Sequence, residues 1–415
     1  MTPEIKQRIA QIRRGEVPEG YKKGKLGIVP KEWEDTPFAT LFTSTSDYTE
    51  DLEKYPLYSL TIEEGVTPKT ERYERSHLVK KEDSYKIVRP NDYAYNPMNL
   101  RFGAVARHKG NISVAVSGYY DIFTTVYKSD LPFMDSFLTC GPMITYYNRV
   151  STGSLIEKQR VHFSQFLEFV LPLPSLDERA KIAAILTTQD KVIELKEKLL
   201  AERQQQKKYL MQQLLTGKKR LPGFSGEWSF PRAKEIFANV SDKQHNGNLR
   251  VLSSTQDRGI VPRDEVDIDI KYDTSSLVNY KKVRKGNFVI SLRSFQGGIE
   301  YSTYTGLVSP AYTVLDPKKD ISDEYYKHFF KSTDYINRLN VAVYGIRDGK
   351  QISYEDFGRI RIPYPPVDEQ NAIATVFATS DREIDLLQQD IEQEKQKKKA
   401  LMQLLLTGIV RAYNE

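Results

Sequence analysis

The chain has few of the residues that build metal sites and disulfides. Its 415 residues include one cysteine, Cys140, together with five histidines and two tryptophans. A single cysteine excludes an internal disulfide and a cysteine-rich metal site, which fits a reducing, cytoplasmic location. The histidines are scattered without the spacing of metal ligands, so the sequence predicts no metal site.

Long apolar runs and an N-terminal leader are absent as well. No run of apolar residues approaches the roughly 20 needed to cross a bilayer. Met1 is not followed by a charged and then apolar stretch, so we expect neither membrane insertion nor secretion. Hydrophobic residues make up 39% of the chain, enough to form cores, and the net charge of +6 mildly favours a polyanionic partner.

The motifs of self-contained enzymes are also missing. A nucleotide-hydrolysing motor would need Gly-x4-Gly-Lys-Ser/Thr, whereas Gly217 is followed only by charged residues. Residues 96–99, Asn-Pro-Met-Asn, lack the second proline and the aromatic residue of an amino-methyltransferase clamp, so they are interpreted as a turn. Asp264, Asp267, Asp269 and Lys271 superficially resemble a nuclease site, but a charged edge strand accounts for them. We therefore predict a binding protein with no catalytic residues.

The chain does contain an internal duplication. Residues 172–220 return without a gap as residues 363–411, 191 positions later (363 − 172), and roughly two positions in five are identical. Outside these segments the match is looser, and the offset drifts between the copies. Two copies of one unit predict a pseudo-twofold molecule, and double-stranded DNA is a common partner with its own approximate twofold axis.

The duplicated segment is predicted to be a long helix. Its first copy covers residues 177–216, with apolar side chains near both ends, a polar middle, and Gly217 as the C-terminal stop; Gly408 ends the second copy. Two such helices in one chain are expected to pair as an antiparallel coiled coil. The residues assigned to this pairing and to partner contacts are Ile182, Ile193, Leu210, Leu214, Ile373, Ile384, Leu401 and Leu405.

The two helices are expected to begin differently. Ser175 and Glu178 match the Ser-x-x-Glu pattern of a capping box. In the second copy Pro366 stands in place of the serine, so this box cannot form and Asp368 is the expected cap.

The rest of the chain is expected to form two lobes of short aromatic and β-branched strands between Gly, Pro and Asn turns. The predicted fold class is α+β, with two α/β target-binding lobes in pseudo-twofold arrangement, separated by two long helices that form an antiparallel coiled coil. The predicted segments are an N-terminal amphipathic segment at residues 1–28, the first lobe at 29–171, the first long helix at 172–220, the second lobe at 221–362, and the second long helix with its tail at 363–415.

Turn-rich stretches of both lobes supply the candidates for DNA contact. Arginine can donate two hydrogen bonds to guanine, and asparagine or glutamine can bind adenine in the same way, so this mixture suits the major groove. Small and basic residues ahead of each long helix would let the backbone approach phosphates. The first-lobe candidates are Ser59, Thr61, Asn99, Arg101, Arg107, Lys109, Lys158 and Arg160. The second-lobe candidates are Ser254, Gln256, Arg258, Arg293, Ser294, Gln296, Arg347, Lys350 and Gln351.

This layout resembles the specificity subunit of type I restriction-modification enzymes. Each lobe ends in Pro-x-Pro-x-x-Asp-Glu and leads into a helix that finishes Leu-Met-Gln-x-Leu-Leu-Thr-Gly, and the resemblance covers residues 29–411. In that family each lobe is a target recognition domain that reads one half of a bipartite, asymmetric DNA sequence, and the paired helices set the spacer. The resemblance thus implies a non-catalytic DNA-recognition subunit.

The resemblance also implies partners and cofactors. The expected partners are double-stranded DNA, two modification subunits and two restriction subunits. Adenine-N6 methylation and ATP-dependent DNA cleavage would belong to those subunits, which would carry S-adenosylmethionine, ATP and Mg²⁺, and this chain would carry no cofactor.

Two other functions stay open at this point. A coiled-coil adaptor that organises other proteins would explain the helices, but not two lobes with matching scaffolds and divergent loops. A self-sufficient restriction enzyme would depend on the Asp269-x-Lys271 pattern, and magnesium-dependent cleavage by the isolated chain would support it.

Overall fold

The structure is a computed structural model that describes residues 2–69, 85–155, 159–266, 274–292, 294–342 and 352–412. The chain divides into two compact units. Met1–Lys196 and Asp390–Glu415 form the first unit, and Glu197–Gln389 forms the second. Each unit therefore combines one lobe with a part of each long helix, whereas the five segments predicted from the sequence keep lobes and helices separate.

The first unit consists of short strands and helices followed by a long helix. Its elements up to the long helix are α1 (Pro3–Arg13), β1 (Tyr21–Gly24), β2 (Gly27–Pro30), β3 (Glu34–Pro37), β4 (Phe42–Ser44), β5 (Tyr48–Thr49), β6 (Tyr58–Thr61), β7 (Gly65–Pro68), β8 (Tyr85–Val88), β9 (Tyr93–Tyr95), β10 (Val105–Arg107), β11 (Val114–Ser117), β12 (Asp121–Thr125), α2 (Leu131–Phe137), α3 (Gly141–Val150), α4 (Phe163–Leu167) and β13 (Val170–Leu173). The long helix α5 (Leu176–Leu214) contributes to both units.

The second unit repeats this plan. Its elements are α6 (Ala233–Ile236), β14 (Phe237–Val240), β15 (Leu252–Thr255), β16 (Gly259–Pro262), β17 (Lys281–Val283), β18 (Phe288–Ile290), α7 (Ser294–Gly297), β19 (Glu300–Tyr301), β20 (Gly306–Val308), β21 (Thr313–Pro317), α8 (Asp323–Phe330), α9 (Thr333–Ala342) and α10 (Tyr354–Arg359). The second long helix, α11 (Val367–Leu405), also contributes to both units.

Sheet order shows that the lobes share a scaffold. The main sheet runs β10-β9-β12-β4 in the first lobe and β19-β18-β21-β14 in the second, with antiparallel neighbours throughout. The hairpin β6-β7 corresponds to β15-β16, and the pair β8-β11 corresponds to β17-β20. The duplication predicted from the helices therefore extends through the lobes, and the α+β class is confirmed.

Aromatic side chains fill the core of each lobe. Phe38, Phe42 and Phe166 pack edge to face or tilted in the first lobe, with ring centroids 5.0 to 5.6 Å apart. Phe237 and Phe288 pack in the same way in the second lobe, at 5.5 Å. Phe42, Phe237 and Phe288 lie on the buried face of short strands, whereas Phe38 comes from a 3-10 turn and Phe166 from α4.

The ends of the long helices belong to these cores. Ile182, Leu401 and Leu405 pack with the first-lobe core, and Leu210, Leu214 and Ile373 pack with the second-lobe core. In the polar middle, Ile193 is buried and Ile384 is half-buried. Burial against a lobe at each end explains why such polar sequences remain helical, because most helix stability comes from tertiary packing.

The helix segments pair antiparallel within each unit. In the first unit Lys196 bonds Asp390 at 2.8 Å and Asp190 bonds Lys398 at 2.5 Å, so numbers rise along α5 as they fall along α11. In the second unit Lys207 bonds Asp381. Both helices have 39 residues, close to the predicted 40.

Both predicted stop glycines adopt the left-handed conformation, with φ of +72° at Gly217 and +69° at Gly408. Each lies against a tryptophan: a Cβ on Gly217 would come within 3.0 Å of the Trp228 ring, and one on Gly408 within 2.9 Å of Trp33. These positions thus require glycine both for backbone conformation and for space.

The start of each helix differs from the prediction. The Ser175 hydroxyl accepts the Glu178 N–H at 3.3 Å, which is half of a capping box. The Glu178 carboxylate does not complete it, because it accepts hydrogen bonds from Trp33 and Arg411 instead. Asp368 lies inside the first turn of α11 rather than ahead of it, so the prediction that it caps the helix is wrong.

Candidate nucleic-acid interface

Each lobe presents an equivalent hairpin turn. Residues 62–64 join β6 to β7, and residues 256–258 join β15 to β16. Thr61 Oγ1 accepts the Glu64 N–H at 3.1 Å, and Thr255 Oγ1 accepts the Arg258 N–H at 3.2 Å. Thr61, predicted to contact DNA, therefore shapes the turn with its hydroxyl. Ser59 and Ser254 lie half-buried on the strands beside these turns.

In the first lobe the hairpin turn, β10 and α2 enclose a cavity of about 340 Å³. Arg107 lines it, and its guanidinium donates three hydrogen bonds of 2.7 to 3.2 Å to Asp135. A fourth goes to Asn91 at 2.6 Å, and Tyr93 donates its hydroxyl to Asp135 at 2.8 Å. The hydrogen bonds that Arg107 donates to the Asp135 carboxylate raise the pKa of Arg107.

These contacts correct the prediction for Arg107. A guanidinium binds guanine with two adjacent N–H donors, and here those donors are taken by Asp135 and Asn91. Lys109 differs, because its side chain is 71% exposed and its ammonium lies 3.7 Å from Asp135. Of the two basic candidates at this cavity, Lys109 is the one placed to reach a phosphate.

A second group of first-lobe candidates surrounds Arg101. Its guanidinium donates to Gln159 Oε1 at 3.3 Å and lies 4.5 Å from the centre of the Phe102 ring. Arg160 follows Gln159, and its backbone pairs with that of Thr152. The exposed Asn99 precedes Arg101 by two residues.

The turn predicted at residues 96–99 is confirmed. Asn96 Oδ1 accepts the N–H of Met98 at 3.1 Å and that of Asn99 at 3.3 Å. An asparagine that bonds to the backbone two residues later forms an Asx turn.

In the second lobe the candidates divide between surface and interior. Gln256, Arg258 and Gln296 are exposed. Ser294 is only 1% exposed, and its hydroxyl accepts the Ser291 N–H at 2.9 Å. The prediction that Ser294 contacts DNA is therefore wrong for this structure, because its hydroxyl closes the turn that begins α7. Arg258 donates to the Glu265 carbonyl at 3.1 Å.

Lys331 joins the two exposed loops of the second lobe. Its ammonium donates to the backbone carbonyls of Gln256 at 3.2 Å and Gly297 at 3.0 Å, and it also bonds the Glu300 carboxylate. Lys331 and Glu300 were not among the residues predicted from the sequence, and neither was Asp135 in the first lobe. No local pattern marks them, because their partners are 28 to 75 residues away along the chain.

Several predicted residues cannot be placed. Lys158, Arg293, Arg347, Lys350 and Gln351 lie outside the described residues, as do Asp267, Asp269 and Lys271. Asp264 is described: it bonds Arg250 at 2.8 Å and lies in a short 3-10 turn, Arg263–Glu265, instead of the expected edge strand. This ion pair lowers the pKa of Asp264.

The two long helices share an apolar position that is largely exposed in both copies. Leu195 and Leu386, 191 residues apart, are 54% and 56% exposed. Within the described part of the chain, no three His, Cys, Asp or Glu side chains converge as a metal would require. No helix among these residues combines the length and apolarity needed to span a membrane.

Comparison with known proteins shows which proteins this chain is similar to. Residues 208–396 match the family described as type I restriction modification DNA specificity domain. The MjaX type I restriction enzyme specificity subunit of Methanocaldococcus jannaschii is 24% identical over 95% of this chain and 97% of its own length. The MjaVIII specificity subunit of the same organism is 25% identical over 60% of this chain and 64% of its own length.

A solved structure shares the fold. It comes from a study of complex assembly and conformational transition of the type I R-M system. It superposes with a TM-score of 0.57 at 16% identity, covering 92% of this chain and 99% of that one. The family match falls on the second lobe and the helix segments beside it, and the same plan recurs in the first unit. Residues 208–396 therefore carry a type I restriction modification DNA specificity domain, and the chain is similar over nearly its whole length to a type I restriction enzyme specificity subunit.

Proposed function

We propose that each lobe reads one half of a bipartite, asymmetric DNA target. The observation that carries the proposal is the pair of lobes with one strand order and different side chains at equivalent turns. The turn of the first hairpin reads Ile-Glu-Glu at residues 62–64, and that of the second reads Gln-Asp-Arg at residues 256–258. A common scaffold with divergent turns suits two recognition modules that bind different base pairs.

The charges beside the two turns support an asymmetric target. In the first lobe the ion pair between helix and strand has its acid on the helix, Asp135, and its base on the strand, Arg107. In the second lobe the base, Lys331, follows the helix and the acid, Glu300, is on the strand. Two surfaces of opposite local polarity would not bind the same sequence equally well.

The helix pair is proposed to set the distance between the half-sites and to dock two modification subunits. Leu195 and Leu386 support two equivalent docking points, because an apolar side chain that stays exposed at the same place in both copies fits a repeated partner contact. Methylation of adenine, and DNA cleavage where restriction subunits join, would take place on those partners. They would also hold S-adenosylmethionine, ATP and Mg²⁺.

A genome-wide map of modified adenines, with and without this gene, tests the recognition role. Loss of one bipartite motif on deletion is the expected result, and it would identify both half-sites. Identical maps would contradict the proposal. Purification of the bound proteins would then test the adaptor alternative.

Lengthening the helices tests the spacing role. Insertion of about seven residues, near two turns, beside both Gln205 and Gln396 keeps the apolar face in phase. The gap between the half-sites should grow while both half-sites keep their sequences. An unchanged gap would contradict a spacer role for the helix pair.

The docking role is tested with Leu195→Asp and Leu386→Asp. Each should weaken binding of a modification subunit by about tenfold and leave folding within about 0.5 kcal/mol, since both side chains are largely exposed. The matched control is Leu199→Asp, which puts an aspartate where the second copy already has Asp390. Equal loss in the control would show that charge alone causes the effect.

A further inference from the structure

The ammonium of Lys331 has three N–H donors and finds three acceptors on three different segments. One is the Gln256 carbonyl in the hairpin turn, one is the Gly297 carbonyl at the end of α7, and one is the Glu300 carboxylate on β19. The lysine side chain is 28% exposed, so it lies between the surface and the core. A lysine with all three donors used holds its partners at fixed distances from one another.

Glu300 explains how the lysine is held. Its side chain is 2% exposed; one oxygen accepts the lysine ammonium, and the other has no hydrogen-bond partner among the described residues. Burial raises the pKa of Glu300, and Lys331 opposes that change. A buried carboxylate without its counter-charge is strongly destabilising. Moving the Lys331 ammonium away from Glu300 is therefore unfavourable, and the lysine stays in place.

The tethered loops carry two exposed amides. The Gln256 side chain lies against Gly297, where an added Cβ would come within 2.8 Å of its Cγ and 2.9 Å of its Nε2. Gln296 immediately precedes Gly297 and is also exposed. A glutamine amide binds the N6 and N7 edge of adenine with two hydrogen bonds, but only when it is held within about 0.5 Å of the productive position.

Among the described residues of the first lobe, no lysine or arginine makes a copy of this tether. There the ion pair joins Asp135 of α2 to Arg107 of β10, and the described contacts of Arg107 are to side chains. Loss of Lys331 would therefore affect one lobe only. This difference provides an internal control, because the half-site bound by the first lobe should not respond.

We propose that Lys331, neutralised by the buried Glu300, is a positioning residue that fixes Gln256 and Gln296 for base recognition by the second lobe. The inference rests on the proposed function, since it assigns the machinery of one half-site. Lys331 acts through the two backbone carbonyls and does not itself touch a base. Gly297 belongs to the same device, because it leaves room for the Gln256 side chain.

The test uses the assembled complex of this chain with its modification subunits. The complex selects duplexes from a library in which both half-sites are randomised, and the selected DNA is sequenced. Lys331→Met is expected to reduce base discrimination at the second-lobe half-site by about tenfold and to leave the first-lobe half-site unchanged. The matched control is Lys327→Met, which removes an exposed lysine of α8 that pairs with Glu324 within one turn and lies 5.9 Å from the centre of the Tyr301 ring.

A double variant separates positioning from stability. Lys331→Met with Glu300→Leu leaves no orphan buried charge, so it should fold nearly as well as the native chain. It still lacks the tether, and discrimination at the second-lobe half-site should stay low. Lys331→Arg keeps the charge and the donors. It should therefore retain part of the discrimination that Lys331→Met loses at the second-lobe half-site.

Four outcomes overturn the inference. Discrimination that is unchanged in Lys331→Met, or restored by the double variant, would leave Lys331 only a role in stability. An equal loss at both half-sites would indicate general damage to the complex. A native complex that selects no bipartite sequence would overturn the proposed function itself, which distinguishes that failure from the failure of the tether.

Discussion

The two units fix the first turn of each long helix with different chemistry. In the first unit Arg179 donates to the Pro174 carbonyl at 2.8 Å and to Asp130 at 2.8 Å, forming a buried ion pair. At the equivalent position of the second unit, Gln370 donates to the Pro365 carbonyl at 2.8 Å and accepts a backbone N–H at 2.9 Å. The backbone partner is conserved between the copies, while the ion pair has become a neutral hydrogen bond.

The two units share one ion pair between the long helices but differ in the contact next to it. Lys398 with Asp190 and Lys207 with Asp381 are the same ion pair 191 residues apart. Next to it, Gln189 donates to the Glu394 carboxylate at 2.7 Å in the first unit. The second unit has Ser380 and Arg203 at these positions, and a groove of about 360 Å³ lies there. Duplication thus preserved the Lys–Asp ion pair within each unit. The two units diverged in the contacts that lie next to this ion pair.

The largest effect should come from breaking the buried ion pair of the first unit. Asp130→Ala leaves the Arg179 charge buried and unpaired and should cost about 3–5 kcal/mol, because removing one member of a buried pair is strongly destabilising. Gln370→Ala removes only neutral hydrogen bonds and should cost about 1–3 kcal/mol. Chemical denaturation with hydrogen exchange, which assigns the loss to a unit, measures both. Adding Arg179→Gln to the first variant should recover much of the loss, whereas equal costs at the two sites would contradict the comparison.

The next effect tests a contact that is the same in both units. Trp33 donates its indole N–H to Glu178 at 3.3 Å, and Trp228 donates to Glu369 at 2.9 Å. Trp33→Phe and Trp228→Phe should each cost about 1.5–3 kcal/mol, since a hydrogen bond to a buried carboxylate is lost. Thermal unfolding of the two variants is the measurement. A loss in one copy alone would show that the two contacts are not equivalent.

A pH titration of the helix pair should also distinguish the two units, with a smaller effect on stability than the variants above. Hydrogen bonds from Gln189 and Lys196 lower the pKa of Glu394 from 4.5 to about 2. A carboxylate with a lowered folded-state pKa stabilises the fold above its unfolded value, so this contribution is present above pH 4.5 and is lost as pH falls towards 2. Glu394→Gln should therefore reduce the acid-induced loss of helical circular dichroism. Arg203→Gln, at the equivalent position, should not; an unchanged acid transition in both would contradict the assignment.

The smallest effect is expected at the duplicated ion pair. The side chains of Lys207 and Asp381 are 22% and 40% exposed, and those of Lys398 and Asp190 are 30% and 51% exposed. Solvent screens such pairs, so Lys207→Ala and Lys398→Ala should each cost about 0.5–1 kcal/mol. Denaturation midpoints of the two variants should agree, and a clear difference would show that the helix segments are packed unequally.

The sequence was sufficient for the parts of the fold that repeat at a constant offset. The long helices, the stop glycines Gly217 and Gly408, and their antiparallel pairing follow from residues that recur 191 positions apart. The half-formed capping box shows the limit: Ser175 acts as predicted, but tertiary contacts with Trp33 and Arg411 recruit the Glu178 carboxylate. Local propensity cannot anticipate a partner that is more than 140 residues away.

The candidate interface was harder to predict for the same reason. Gln256 and Gln296 reach the surface as expected, whereas Arg107 is held by Asp135, and Ser294 is buried. Residue type indicated which side chains could bind a base. Whether such a side chain is free depends on ion pairs across the lobe, and these leave no pattern in the sequence.

Each unit contains a hydrogen-bonded group of one tryptophan, one glutamate and one arginine, and this group has a consequence for the exchange of lobes between genes. In both copies the tryptophan (Trp33 or Trp228) comes from the start of a lobe, the glutamate (Glu178 or Glu369) from the helix that follows it, and the arginine (Arg411 or Arg220) from the segment after the other helix. A lobe exchanged by recombination would therefore meet the same two partners in either place, provided that it brings its own tryptophan. The ion pairs inside a lobe would travel with it intact. Under the proposed function, such a chain would acquire a new half-site in one genetic step, without a compensating change in its helices.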